Sequence, residues 1–289
     1  MKVELLTYSS MAAFKSCKRA YYYRFVLGLT PRLKRESLRL GSLVHLGLEK
    51  GREDALASLE GVYPSSQEES NELETMRITA NAMLQGYEEA LDPLDLVDKE
   101  LKFELTIKNP ATRRMSPKFR LSGKADGLAK KDNGYWLVEY KTAGQIDKSY
   151  MDRLSLDAQV TTYIYGLQRQ LGINLNGVIY RILRKPTIRQ RKDESLYEYQ
   201  DRLVKDYLER PEWYFHEEIL YRSQEDLEEF ERELWQVAQD LKDTLKTGRW
   251  YKNTSRCADY GLCQYAPLCL KQGGAELLFE IAEPHEELK

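Results

Sequence analysis

The chain has 289 residues and a formal net charge of −2, with 31% charged and 42% hydrophobic residues. That length holds one large domain or two small ones with a substantial core, and so small a net charge excludes a global basic field as the basis of nucleic-acid binding. No apolar run approaches the ~20 residues of a membrane span, and the N-terminus lacks the apolar centre of a signal peptide, so a soluble, cytoplasmic protein without a membrane partner is expected.

In chain order, Ser9 or Ser10 caps a first predicted helix that runs to about Phe25 and ends near Gly28 and Pro31. This region is locally basic: Lys15, Lys18, Arg19, Arg24, Arg32, Lys34, Arg35 and Arg39 stand against a single Glu36. Tyr21, Tyr22 and Tyr23 are consecutive; they read as packing residues, although base-stacking surfaces also draw on such rings. Helices are predicted over Leu40–Leu59 and Glu68–Leu91, then a strand over Leu94–Ile107 and a hairpin over 119–130 and 134–142. A helix over Arg153–Leu171 ends at Gly172, and a strand covers Asn176–Leu183. The polar span 184–211 carries a candidate helix at 193–208, followed by a strand at Trp213–Tyr221 and a long amphipathic helix at Gln224–Lys246. Arg181 to Lys192 is a second basic run without an acidic residue; two such runs in a near-neutral protein permit a local phosphate-binding groove. Residues 248–275 read as irregular and the segment 276–289 as an acidic tail. The whole reads as an α/β or α+β core, a mixed sheet flanked by helices.

The chemistry concentrates in the hairpin. Asp126 precedes Glu139-Tyr140-Lys141 by thirteen residues, with the turn signal Asp132-Asn133-Gly134 between them. A turn centred on Asp132-Asn133 sets Asp126 opposite Glu139, and one centred on Asn133-Gly134 sets it opposite Lys141. Either register gathers the three charges on one sheet face. A solvated charged face is the plain alternative, but Trp136, Leu137 and Val138 mark the strand as buried, and buried charges need partners. A divalent cation held by the carboxylates, with the lysine beside its water, would supply them.

Three further features stand around it. Gln159 and Tyr163 are four apart on the helix after the hairpin and so share one of its faces. His45 lies among apolar residues in Gly41-Ser-Leu-Val-His45, a setting open to a core residue or a metal ligand. The four cysteines are Cys17, then Cys257, Cys263 and Cys269 within thirteen residues of irregular chain, which suits a four-thiolate site. Thiolate chemistry alone admits zinc or an iron–sulfur cluster there.

In this order, the helix with Cys17, Gly-Ser-Leu-Val-His45, Gly-Lys-Ala-Asp126-Gly, Val-Glu139-Tyr-Lys141-Thr, Gln159-x3-Tyr163 and the cysteine group resemble the PD-(D/E)xK nuclease superfamily over residues 5–270. Within it the match is to the RecB-like branch, which carries an iron–sulfur cluster and includes CRISPR-adaptation and many phage exonucleases. The resemblance implies a restriction-endonuclease-like α/β core as a single nuclease domain over 1–289. Its parts would be a helical N-terminal part (1–93), a catalytic core (94–183), a peripheral strand and long helix (184–247), a cysteine-cluster loop joined to Cys17 (248–275) and the tail.

By the same resemblance, His45, Asp126, Glu139 and the backbone carbonyl of Tyr140 would ligate Mg²⁺ or Mn²⁺. Lys141 would orient or help deprotonate water, Gln159 and Tyr163 would support the site, and Glu100 would stand behind it. Cys17, Cys257, Cys263 and Cys269 would hold a [4Fe-4S] cluster. The first gap between the last three cysteines is five residues where many members have two, which keeps Zn²⁺ as the alternative. The implied activity is a metal-dependent DNA exonuclease preferring single-stranded ends, with a helicase, recombination or CRISPR-adaptation partner. A structure-specific or restriction-like endonuclease and a DNA-end-binding adaptor with an inert site are the competing readings.

Overall fold

The computed structural model describes residues 3–32, 36–64, 66–259 and 261–288; Lys34 and Arg35 of the first basic run lie outside the described residues, as does the side chain of Glu36. The N-terminal third contains β1 (Glu4–Leu6), α1 (Tyr8–Ser16), α2 (Lys18–Tyr21), β2 (Leu29–Pro31), α3 (Glu36–Lys50), α4 (Arg52–Ala57) and α5 (Gln67–Ala90). The middle runs β3 (Asp95–Lys108), β4 (Met115–Lys131), β5 (Gly134–Ala143), α6 (Lys148–Leu154), α7 (Ala158–Leu171) and β6 (Leu175–Arg184). Then come α8 (Leu196–Glu209), α9 (Pro211–Tyr214), β7 (Phe215–Leu220), α10 (Gln224–Thr247), α11 (Ala266–Cys269) and β8 (Phe279–Ile281). Among the described residues no helix is long and apolar enough to cross a membrane.

The central sheet is mixed, in the order β1-β4-β5-β6-β7, with β3 along the other edge of β4. Helices cover both faces. Leu137, Tyr180 and Ile182 pack with residues of α1, α7 and α10, whereas Trp136, Val138, Tyr140 and Ile179 pack with α3, α5 and α8. This period-two alternation along β5 and β6 is what a sheet buried on both sides requires.

One edge of β4 is shared between two partners. Parallel β1 pairs with Phe119–Leu121 and antiparallel β5 pairs with Gly127–Lys131, so 122–126 have no ladder partner on that edge. The turn is centred on Asp132 and Asn133, both at positive φ, as a two-residue hairpin favours. Asp126 is therefore the first residue past the paired hairpin, at the point where β4 and β5 part.

Several predicted boundaries move for identifiable reasons. Thr7 caps α1, with Ser10 completing the capping box. The first helix does not run through to Phe25: Cys17 is extended (φ −158°, ψ 112°) and separates α1 from α2, which continues into one wide π-turn at Tyr22–Val26. Gly51, at φ 110°, divides the second predicted helix, and Asp157 caps α7 after a break that divides the fourth. Residues 213–214 belong to a helical turn rather than to a strand. The N-terminal part is not wholly helical, since β1 joins the central sheet, and the acidic segment is not a free tail, since β8 pairs antiparallel with β2.

Among the described residues, neither basic run presents an open phosphate groove as a whole. Arg181 and Arg184 are buried on β6; Arg181 bonds Glu217, Tyr87 and the carbonyl of Asp92, and Arg184 bonds the carbonyls of Trp213 and Ile146. Arg189, Arg191 and Lys192 are the exposed remainder. In the first run, Arg19, Arg24 and Arg32 hold carbonyls of Trp250, Glu283 and Leu277, which docks the C-terminal segment against the N-terminal helices.

Helix α7 lies unusually close to the sheet. A Cβ on Gly166 would enter the ring of Phe103, and one on Gly123 of β4 would meet the same ring from the other side. Gly166→Ala should therefore push α7 outward and cost ~1–3 kcal/mol, the usual toll of overpacking, readable by denaturant unfolding. An unchanged midpoint would mean that Phe103 has room to move.

Candidate active site

Alternation along β5 directs Glu139 and Lys141 to the α7 side, and flanking apolar residues bury them: Glu139 is 2% exposed. The Lys141 ammonium pairs with Glu139 Oε1, while Glu139 Oε2 is a buried oxygen without a hydrogen-bond partner. Asp126 reaches the pair through the gap between β4 and β5. Its Oδ2 accepts from the Tyr140 N–H at 2.7 Å, replacing a missing ladder bond, and its Oδ1 lies 3.6 Å from His45 Nδ1. His45 comes from α3 on the opposite side of the sheet. That helix approaches β5 closely at Gly41, where a Cβ would lie 3.1 Å from Thr142 Oγ1. On the other side, Gln159 Nε2 donates to the Tyr163 hydroxyl at 2.9 Å, and the Tyr163 ring stands over Gly123. Two helical layers thus address one point through the gap in the strands.

The electrostatics follow from burial opposed by partners. Burial pushes the Glu139 carboxyl up to about 7, with Asp126 adding to the rise and Lys141 opposing it. Asp126 is also pushed up by burial, but the hydrogen bond and charge of His45, the charge of Lys141 and the Tyr140 N–H outweigh this and hold it below the usual carboxylate range. Burial would lower Lys141; Glu139 and Asp126 reverse that and raise it above an ordinary lysine.

Glu100 pairs with Lys124 and lies across β4 from Asp126, between the pairs Lys99↔Gly127 and Leu101↔Ala125. It adopts φ 54°, a left-handed conformation that costs a non-glycine residue energy and tends to mark functional sites. With His45, Glu49, Lys99 and Asp126 it lines a small cleft.

Among the described residues no group of three or more His, Cys, Asp or Glu side chains converges closely enough to hold a metal ion. The fit to a divalent cation rests instead on the donor set: a buried carboxylate oxygen lacking a partner, beside a second carboxylate and an imidazole. Tyr140 lies in the β5–β6 ladder opposite Arg181, its side chain packed on the α5 side.

The four cysteines are all free thiols and come from both ends of the chain. Asn253 N–H donates to Cys17 Sγ at 3.4 Å, and Cys263 N–H donates to the Cys257 carbonyl at 2.8 Å. Burial pushes the Cys269 thiol up, with Cys17 and Cys263 near enough to contribute. The corner is also held without any metal. Asn253 Nδ2 bonds the Ser16 carbonyl at 2.9 Å, Trp250 packs on Tyr21 and Tyr22, and Tyr265 lies against Tyr23 and Phe279. The tyrosine run is thus packing for this junction.

Sequence reasoning missed one group near the site. Tyr8, Tyr150, Arg153 and Tyr180 gather beside Asp157. The only local signal for it is Tyr150 and Arg153 one helical turn apart.

The sequence model of the PD-(D/E)XK nuclease superfamily matches residues 5–270. No curated protein matches the chain.

Proposed function

The chain belongs to the PD-(D/E)XK nuclease superfamily, and from that membership together with the site we propose that it is a metal-dependent DNA exonuclease acting on single-stranded ends. Membership makes it a nuclease, a hydrolase of DNA. The observation that carries the site assignment is Glu139: a carboxylate almost wholly buried, one oxygen on Lys141 and the other unpartnered, next to Asp126. Asp126, Glu139, His45 and the carbonyl of Tyr140 would hold Mg²⁺ or Mn²⁺. Bound there, such an ion supplies Lewis acidity, making water a nucleophile near neutral pH and offsetting phosphate charge.

The protein's own groups do the rest. Lys141 would orient or help deprotonate the attacking water and place a positive charge beside the phosphate as charge develops. The Asp126–Tyr140 bond keeps β5 at a fixed distance from the gap. The Gln159–Tyr163 pair buttresses Lys141 from α7. The exonuclease mode, the single-strand preference and a helicase, recombination or CRISPR-adaptation partner are supported by the resemblance to the RecB-like branch.

End-labelled linear and circular single-stranded DNA test the activity. With Mn²⁺ the linear strand should be degraded and the circle left whole; cutting of the circle would establish an endonuclease instead.

The proposed [4Fe-4S] cluster on Cys17, Cys257, Cys263 and Cys269 is supported by soft thiolate chemistry and by the approach of Cys17 and Cys263 to Cys269. It would be structural. Aerobically purified protein should absorb broadly in the visible and carry about four irons per chain. A colourless protein with one zinc would assign the site to zinc.

A further inference from the structure

One strand over from Glu139, a cleft of about 320 Å³ opens toward solvent, in the size range of small-ligand sites. Tyr180, its floor, is the ladder partner of Glu139 on β6, so the two side chains stand side by side on the same face. Tyr8, the first residue of α1, and Tyr150 of α6 form its half-buried walls. Arg153, one turn after Tyr150, is exposed at the rim, as is Leu156, 82% exposed. Asp157 is already engaged: one oxygen accepts from Gln159 N–H at 2.8 Å and the other from the Tyr180 hydroxyl at 3.4 Å. Burial raises the hydroxyls of Tyr8 and Tyr150, and Lys141 opposes the rise at both, so its ammonium lies within electrostatic reach of each wall.

Tyr180 belongs to the buried core and Tyr150 packs on that core with its hydroxyl on the Tyr180 hydroxyl, yet neither Tyr8 nor Tyr150 is matched ring to ring with another aromatic side chain among the described residues. Tyr21, Tyr22, Tyr23 and Tyr265 are matched ring to ring against other aromatic side chains. Tyr8 and Tyr150 instead line an opening beside the charged group, with an arginine at the mouth. Aromatic walls next to a guanidinium suit a nucleotide, with the base on the rings and a phosphate on the arginine. A paired base keeps its faces within the duplex stack, so only an unpaired nucleotide can offer them to the cleft.

Resting on the nuclease reading above, we propose that this cleft seats the unpaired terminal nucleotide of the strand, its base against Tyr8 and Tyr150 and its phosphate on Arg153, and that this seat selects single-stranded ends. The scissile phosphate then falls next to Lys141.

The test uses the full chain carrying Glu139→Gln, mixed with single-stranded oligonucleotides bearing 2-aminopurine at the 5′ end, at the 3′ end or in the middle. Stacking should quench the probe at one end and leave the middle probe bright, and a blunt duplex should show no quenching. Tyr150→Leu should relieve the quenching. Arg153→Ala, at an exposed position that the fold does not need, should weaken binding about 10-fold. In the otherwise unchanged enzyme, Arg153→Ala should raise KM for linear single strands more than it lowers kcat. Equal brightness at both ends, or binding within twofold in both variants, would overturn the seat. If the unchanged protein cleaves DNA without end quenching, the seat alone falls; if quenching occurs and no DNA is ever cleaved, the nuclease reading falls and the seat stands.

Discussion

Glu139→Ala is expected to slow DNA cleavage by about 10²–10³-fold in a protein that stays folded, on the scale at which loss of one preorganised charge-stabilising group is felt. The change removes both the proposed metal ligand and the partner of Lys141. Loss of the carboxyl removes a group held at a desolvation cost but leaves Lys141 with Asp126 alone to offset its charge, so some stability is lost with the activity. Thermal unfolding checks the fold and a single-turnover assay checks the rate; a folded variant within tenfold of the unchanged rate contradicts the assignment. A pH dependence follows with a definite sign. Glu139 carries its proton below about 7 and loses it above, and proton and cation compete for the same oxygens. Metal affinity should accordingly be weaker at pH 6 than at pH 8.

Arg181→Ala should destabilise the protein by ~1–3 kcal/mol, the range for leaving buried hydrogen-bonding groups without a partner, since the freed Glu217 is exposed to water. The residue is 4% exposed, and its guanidinium bonds Glu217 at 2.7 Å, the Tyr87 hydroxyl at 2.7 Å and the Asp92 carbonyl at 3.1 Å. It thereby ties β6 and β7 to the end of α5. Tyr87 also approaches the Tyr140 hydroxyl at 3.4 Å, so the same network backs the strand that carries the site. Denaturant unfolding would show the loss as a shifted midpoint. A loss below 1 kcal/mol, accompanied by weaker DNA binding, would return Arg181 to a phosphate-binding role.

What could be read in advance was local. The hairpin follows from alternation at 134–143 and a turn at Asp132-Asn133, and α10 from its amphipathic period, so these elements stand within a few residues of expectation. Strands β1 and β8 have three residues each, too short for a pattern, and exist because distant chain completes them. The break at Cys17 is equally non-local, since Ser16 and Cys17 receive bonds from Asn253. Charge misled at Arg181 and Arg184 because β6 takes them inside, where tertiary partners meet them. Within the site, Glu139 and Lys141 were legible from their spacing. The approach of His45 from the opposite layer depends on the gap between β4 and β5, and the tyrosine cleft assembles from three separated segments, at 8, 150–158 and 180; neither has a signature in any one stretch of sequence.

The central claim is that Asp126, Glu139 and Lys141 form one cation-dependent hydrolytic site, and calorimetric titration of Mn²⁺ addresses it most directly. The unchanged protein and Lys141→Ala should both bind the ion, with only the former cleaving DNA, and Glu139→Gln should lose both binding and cleavage. Undiminished Mn²⁺ binding in a folded Glu139→Gln protein would contradict the account.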